Sequence, residues 1–200
     1  MTGGVLRYLS HPQVTIDPAI PVPRWSLSET GRGRMLALCG SAWLGDTTAI
    51  LTSSETKACE AAAILGAASG ITPVIDADLD EIDRSATGYV PMPRHEALAD
   101  AFFACPEARA DGWEAATDVA ARGMRALRRH VAAQGRGDLL IVGHGGIGTL
   151  IWCAVAGLRP GRQHDQPAGG GAVWAARLPD LAPLHGWMPA EEVAALPTGC

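Results

Sequence analysis

The chain has 200 residues, a formal net charge of −5 and 48% hydrophobic residues. This length and apolar content favour one folded domain with a substantial core, and they exclude a disordered chain. A mildly acidic chain whose Lys and Arg residues are scattered argues against a nucleic-acid-binding protein. The longest apolar stretch, residues 147–158, is too short to span a bilayer, and no secretory signal is visible. We therefore expect a cytoplasmic protein, with its oligomeric state left open.

The five cysteines are widely spaced and form no CxxC pair. This pattern predicts free thiols, with neither a disulfide framework nor a zinc site. The acidic run at residues 76–83 lacks the glycine and the spacing of a calcium loop, and no phosphate-loop motif is present. We therefore expect no metal and no cofactor.

Predicted strands and helices alternate along the chain. In chain order the strands fall at 5–9, 49–52, 73–76, 138–142 and 172–176, and the helices at 28–38, 55–68, 94–105, 113–133 and from about 147. Residues 17–23 contain too many prolines for regular structure, and the tail beyond Leu184 is left open between packing and fraying. Alternation of this kind predicts a three-layer α/β/α sandwich with a mostly parallel central sheet, formed as a single domain over residues 1–200.

Two histidines occupy equivalent positions, each directly after a hydrophobic strand. His11 follows the first strand, and His144 follows the strand at 138–142. Lys57 lies one turn into the helix after another strand, and Glu81 lies in the loop after a fourth. Because ligands bind at the carboxyl ends of parallel strands, we expect these four side chains to share one cleft.

Two imidazoles, an ammonium group and a carboxylate suit phosphoryl transfer. A neutral imidazole is a competent nucleophile, and a carboxylic acid can protonate the leaving oxygen. The second imidazole, the cation and helix N-terminal amides would bind the phosphoryl oxygens. Gly145 and Gly146 have no side chain to keep their amides from an anion.

The order of these parts resembles the histidine phosphatase superfamily, also called the phosphoglycerate mutase-like family. That family has Arg-His-Gly after its first strand, where this chain has Ser10-His11-Pro12. Its four further motifs are similar to residues 27–31 (LSETG), 52–58 (TSSETKA), 79–83 (LDEID) and 143–146 (GHGG). The resemblance covers residues 5–158, and five motifs in the right order are fairly specific for the fold.

The resemblance implies roles for individual residues. His11 would be the nucleophile that becomes a phosphohistidine, and His144 would stabilise the transferring phosphoryl group. Glu81 would be the general acid. Lys57 would replace a phosphate-clamping arginine, with Ser10 and Gly145 also contacting the substrate. The substrate would be a small phosphorylated molecule or phosphohistidine, with no nucleic acid or membrane partner.

Departures from the family pattern leave alternatives open. Ser10 and Lys57 stand where the family has arginines, which weakens the expected anion site because arginine binds two oxygens with a rigid fork. The alternative for Lys57 and Glu81 is that they are solvated residues, and the alternative for Ser10 is that it only completes the turn after the strand. A catalytically impaired member that binds an anion or a partner is one alternative function, and non-phosphate acid–base chemistry is another.

Overall fold

The computed structural model describes residues 3–194, which form a six-stranded sheet with helices on both faces. The strands are β1 (Val5–Ser10), β2 (Thr47–Thr52), β3 (Val74–Ile75), β4 (Asp138–Gly143), β5 (Ala172–Arg177) and β6 (Pro183–Pro189). The α-helices in this part of the chain are α1 (Glu29–Leu38), α2 (Ala42–Gly45), α3 (Thr56–Ser69), α4 (Met92–Ala104), α5 (Ala116–Ala133), α6 (Gly145–Ala156) and α7 (Ala190–Ala194). The predicted α/β sandwich with a mostly parallel sheet is confirmed.

Strand order in the sheet is β3-β2-β4-β1-β5-β6. The first four of these strands are parallel to one another, whereas β5 runs antiparallel to β1 and β6 antiparallel to β5. Strands β1 and β4 are neighbours, and Ser10 is paired with Gly143 at their carboxyl ends. The next residue of each strand, His11 and His144, is therefore brought to the same point on the edge of the sheet.

Strand β4 shows why the sheet is covered on both faces. All six of its residues are buried, and alternate side chains point to opposite faces. Leu139 and Ile141 belong to a core beneath α4, α5 and α6, together with Tyr8 and Trp174. The opposite core lies beneath α1, α2, α3 and α7, and its members from the strands are Leu9, Ile50, Leu140, Val142 and Val173.

Helix boundaries follow capping chemistry. Ser28 accepts a hydrogen bond from the Gly31 amide and starts α1, as its sequence position predicts. Helices α3 and α6 end at Gly70 and Gly157, both in the left-handed conformation that favours glycine. Helix α6 starts at Gly145, two residues earlier than predicted, and α5 starts at Ala116 instead of near residue 113.

The tail differs most from the sequence prediction. Beyond Leu184 the chain completes β6 and then forms α7, so it packs against the sheet as far as Ala194. The pattern of β6 is hard to recognise because the strand carries two prolines and a glycine and lies at the sheet edge. Residues 195–200 lie outside the described residues.

Replacing Leu140 by alanine is expected to lower the free energy of unfolding by about 3 kcal/mol. Leu140 is fully buried on β4, where it is paired with Ile50 of β2, so the change leaves a cavity between rigid neighbours. Leu36 is 59% exposed on α1, and its replacement by alanine is expected to change stability by less than about 0.5 kcal/mol. Chemical denaturation of both variants checks the difference, and equal losses would contradict this account of the core.

Candidate active site

His11 is held at the end of β1 by backbone hydrogen bonds on both sides. Its amide donates to the Gly143 carbonyl at 2.8 Å, and its carbonyl accepts from the Gly171 amide at 3.2 Å. The ring Nδ1 lies 2.8 Å from the Pro12 carbonyl oxygen. Because that oxygen can only accept, Nδ1 carries the ring proton and Nε2 keeps a lone pair. This is the tautomer that a nucleophilic Nε2 requires.

The three-glycine segment at residues 169–171 wraps around His11. All three glycines have positive φ angles, of 93°, 63° and 65°. A Cβ at Gly170 would collide with the His11 carbonyl oxygen, so the segment needs glycine both for its conformation and for this close approach. Arg34 donates hydrogen bonds to the carbonyls of Gly170 and Gly171 at 3.0 and 3.3 Å.

His144 lies opposite His11 and is completely buried. The two ring centroids are 5.1 Å apart with an interplanar angle of 71°. His144 Nε2 is 2.7 Å from the Ser53 hydroxyl, while Nδ1 is buried with no partner among residues 3–194. A buried ring nitrogen without a partner is costly unless a ligand satisfies it.

Tyr8 fixes the backbone of His144. The Tyr8 hydroxyl accepts from the His144 amide at 3.0 Å and donates to its carbonyl at 3.2 Å. A side chain at Gly143 would collide with this hydroxyl, which explains the glycine before His144. The Tyr8 ring stacks on Trp174 at 5.4 Å, so the hydroxyl is anchored by the core.

Lys57 is buried at the start of α3 and is already paired. Its ammonium group forms a short ion pair with the Glu55 carboxylate and donates to the Val22 carbonyl at 3.0 Å. Glu55 Oε1 also lies 3.8 Å from His144 Nε2 and accepts from the Glu81 amide at 2.9 Å. The positive charge of Lys57 therefore acts on both histidines, but the negative charge of Glu55 partly offsets it.

Glu81 is clamped against the N-terminus of α6. Its carboxylate accepts from the amides of Ile82, Gly146 and Ile147 at 2.9–3.0 Å. Burial raises the pKa of Glu81, but the His144 ring, the Arg84 guanidinium and these amides outweigh burial and lower it from 4.5 to about 2. Glu81 is thus a partly buried carboxylate that is ionised at neutral pH, so the free protein holds no proton there for a leaving group.

Burial sets the protonation state of both histidines. Desolvation, the neighbouring His144 ring and the Lys57 ammonium lower the pKa of His11 from 6.5 to about 3. Desolvation also lowers the pKa of His144, against the opposing effect of Glu55 and Glu81. Both rings are therefore neutral near pH 7, which leaves His11 Nε2 free to attack an electrophile.

An NMR titration of the imidazole nitrogens is expected to show His11 neutral down to a pH far below 6.5. The ring should gain its proton only near pH 3, since burial penalises the cation. In the unfolded chain the same ring binds a proton near its ordinary pKa of about 6.5, so this group costs stability as the pH falls from there toward 3. The urea-unfolded protein provides the reference titration, and an ordinary pKa for His11 in the folded protein would contradict the prediction.

The remaining predicted site residues take different positions. Gly145 lines the cavity beside His11 at the first turn of α6. Ser10 does not reach the cavity, because its buried hydroxyl accepts from the Ala172 amide at 3.1 Å and lies 3.3 Å from the Ala172 carbonyl oxygen. This geometry fits the alternative in which Ser10 completes the strand-end turn, and it gives no support for a ligand contact.

A cavity of about 560 Å³ opens in front of His11 and Glu81. Most of its wall is apolar, and this part comes from the segment before α1, the loop before α4, α4 itself, and the loop between α4 and α5. The larger apolar and aromatic side chains are those of Val14, Ile16, Trp25, Tyr89, Met92, Phe102, Phe103 and Trp113. Arg84 adds a charge to this wall, stacked 5.4 Å from the Trp113 ring and donating to His95 Nε2 at 2.7 Å.

Several of these contacts escape sequence reasoning. Glu55 and Ser53 lie within a recognised motif, so their place beside His144 carries a signal, but nothing in the motif assigns them a partner. Arg84 and Tyr89 come from a loop with no regular pattern. Their position depends on tertiary packing that no local spacing reveals.

Residues 3–194 contain no cluster of three or more potential metal ligands. The acidic run is used for ion pairs instead, with Asp76 bound to Arg129 and to His130 Nε2 at 2.7 Å. No α-helix in the same range has the length and apolarity needed to cross a bilayer.

Several solved structures share this fold. Bacillus stearothermophilus YhfR has 20% identity and a TM-score of 0.74, covering 94% of this chain and 95% of that one. The mycobacterial glucosyl-3-phosphoglycerate phosphatase Rv2419c, in complex with inorganic phosphate, has 23% identity, a TM-score of 0.69 and coverage of 86% and 88%. A putative alpha-ribazole-5'-P phosphatase from Escherichia coli has 15% identity, a TM-score of 0.68 and coverage of 93% and 96%. At these identities the likeness concerns the fold alone.

The search of curated proteins gave no match. The family model of the histidine phosphatase superfamily, branch 1, matches residues 22–173, which is most of the chain. This match begins after His11, so it supports the family without testing the residue at the end of β1. Family model, fold and paired strand-end histidines agree, and the chain belongs to the histidine phosphatase superfamily.

Proposed function

We propose that this protein is a phosphatase that hydrolyses a small phosphorylated molecule or phosphohistidine through a phosphohistidine on His11. The observation that carries the proposal is the histidine pair. A neutral His11, oriented by Pro12 with Nε2 free, lines the cavity, and its ring centroid lies 5.1 Å from that of the buried His144 ring. This is the arrangement that in-line attack on phosphorus needs, since one ring attacks while the other binds an equatorial oxygen.

In the first step, His11 Nε2 donates its lone pair to phosphorus, and the bond from phosphorus to the leaving oxygen breaks. If Ser53 donates to His144 Nε2, the proton of His144 lies on its unpartnered Nδ1 and can bind a phosphoryl oxygen. Lys57 uses two hydrogen-bond donors on Val22 and Glu55, which leaves a third for the substrate. The amide of Gly145, at the start of α6, supplies a further donor.

The leaving oxygen needs a proton, and we assign its delivery to Glu81. The negative charge of a phosphoryl group raises the pKa of a neighbouring carboxylate, so binding of the substrate favours protonation of Glu81. In the second step water attacks the phosphohistidine, Glu81 accepts a proton from that water, and inorganic phosphate leaves with His11 restored. Acid and base roles thus alternate on one carboxylate.

The apolar cavity would hold the leaving group. Its aromatic wall favours substrates in which the phosphoryl group is attached to an apolar or flat body, since such a body displaces water from Trp25 and Tyr89. Phosphate bound by the mycobacterial phosphatase with the same fold supports the choice of a phosphoryl group.

Phosphate release from phenyl phosphate, measured from acidic to neutral pH, tests the proposal. We expect turnover that orthovanadate inhibits, because vanadate adopts the trigonal geometry of the transferring phosphoryl group. Binding of phosphate without turnover would favour the impaired anion-binding alternative, to which the ionised Glu81 and the paired Lys57 lend some support. If neither turnover nor phosphate binding is observed, the remaining alternative is non-phosphate acid–base chemistry.

A further inference from the structure

Glu55 is the polar residue of this site for which the phosphatase reaction provides no role. Its carboxylate is 7% exposed and forms the ion pair with Lys57, the cation beside the histidine pair. The desolvation cost of burying two charges is offset only when each charge is fully partnered. The pair therefore neutralises Lys57 before any substrate binds. An ordinary phosphate site would leave that charge for the ligand.

Charges around the pair reinforce this neutralisation. The titratable and charged groups around it are His11 at the end of β1, His144 at the end of β4, Asp80 and Glu81 in the loop after β3, Cys59 on α3, and Arg24, which shares the adjoining cavity with Glu55. Both histidines are neutral and the Cys59 thiol has a raised pKa, so the ionised groups that act on Glu55 and His144, besides the pair itself, are the carboxylates of Asp80 and Glu81. Arg84, the arginine that faces Glu81, donates to His95 on the outer wall.

The surface outside Glu55 is also acidic. An adjoining cavity of about 850 Å³ is lined by Glu55, Asp80, Glu81 and Asp83, against Arg24 and Arg84. A dianion entering this region meets an excess of negative charge at short range, where like charges repel by several kcal/mol in a partly buried site.

We propose that Glu55 is a specificity-determining residue, which restricts the site to phosphoryl groups that bind as monoanions. This inference rests on the proposed phosphatase function and names the charge state of its substrate. Such a substrate brings its own proton, either on a phosphoryl oxygen or on a cationic leaving group. In the first case that proton passes through Glu81 to the leaving oxygen as the bond to phosphorus breaks, which supplies the proton that the free protein lacks.

Binding of inorganic phosphate, measured by titration calorimetry on either side of its second ionisation, tests the inference without requiring turnover. For the wild-type protein we expect the affinity to fall about tenfold per pH unit above that ionisation, because the monoanion becomes rarer by this factor. Sulfate is a dianion throughout the range, so it reports any titration of the protein itself. We expect sulfate to bind weakly at every pH.

The variant Glu55→Gln keeps an oxygen that can accept from the Glu81 amide but removes the charge. We expect it to bind the phosphate dianion and sulfate roughly tenfold more tightly or better, which flattens the pH profile. Glu107→Gln removes an exposed carboxylate outside the site and serves as the matched control, with a profile like that of the wild type.

Tighter binding of the dianion than of the monoanion by the wild type would overturn the inference, as would an unchanged profile in a folded Glu55→Gln variant. Where that variant does not fold, the wild-type profile with phosphate and sulfate decides alone. Phenyl phosphate turnover is measured on the same samples. Monoanion-selective binding without turnover would overturn the phosphatase function and support the inference. Turnover without monoanion preference would support the phosphatase function and overturn the inference.

Discussion

Replacing His11 by alanine is expected to reduce phosphate ester turnover by about 10⁴-fold or more, because removal of a covalent nucleophile leaves only binding and electrostatic effects. The ring of His11 is only partly buried and makes its own hydrogen bond to Pro12, so the fold should tolerate its loss. Initial rates with phenyl phosphate, together with thermal unfolding of the same samples, check both expectations.

His185→Ala is the matched control for this variant. His185 lies on the edge strand β6, and its ring bonds to the adjacent Gly186 carbonyl at 2.8 Å. We expect its removal to leave turnover near the wild-type rate. Equal activity of His11→Ala and the wild type would show that another residue or water attacks phosphorus.

Replacing Glu81 by glutamine is expected to lower turnover of an alkyl phosphate by roughly 10²–10⁴-fold, the range typical of a lost general acid. A substrate with an acidic leaving group, such as p-nitrophenyl phosphate, needs little protonation and should lose much less. The difference between the two substrates is the informative quantity, since a purely structural defect would slow both alike. Rates with both esters, measured on the same protein preparation, give this ratio.

Asp83→Asn is the corresponding control, because Asp83 lies in the same loop but has a different partner. Its carboxylate accepts a 2.9 Å hydrogen bond from the Ser85 amide and makes none with the histidine pair. It should retain the wild-type ratio between the two substrates. Glu81 also accepts three backbone hydrogen bonds, so its glutamine variant is expected to lose some stability. An equal loss of rate with both esters would remove Glu81 from the chemistry.

Much of the fold and the histidine pair can be predicted from the sequence for a simple physical reason. Strands β1 and β4 are hydrophobic runs buried on both faces, and each stops abruptly at a histidine. Once the two strands are parallel neighbours, His11 and His144 must meet. The contact between the two histidines depends only on the pairing register of β1 and β4, which the hydrophobic pattern of the strands specifies strongly.

The partners of these residues are harder to predict, because they depend on where side chains turn. Ser10 precedes His11, yet its hydroxyl faces β5 and not the cavity. Lys57 occupies the expected place, but its sequence position gives no sign that Glu55 neutralises it. A carboxylate at residue 81 suggests an acid, whereas the helix N-terminus that holds it favours the ionised form. Local patterns identify the groups, and tertiary contacts determine their charge.

The central claim is that His11 carries the phosphoryl group between the two steps, and it is tested most directly by trapping that intermediate. The protein is mixed with a phosphate ester, quenched in alkali to preserve phosphohistidine, digested and analysed by mass spectrometry. We predict a phosphoryl group on His11 that is absent from the His11→Ala variant. A phosphoryl group on another residue, or rapid turnover during which His11 is never labelled, would contradict the account.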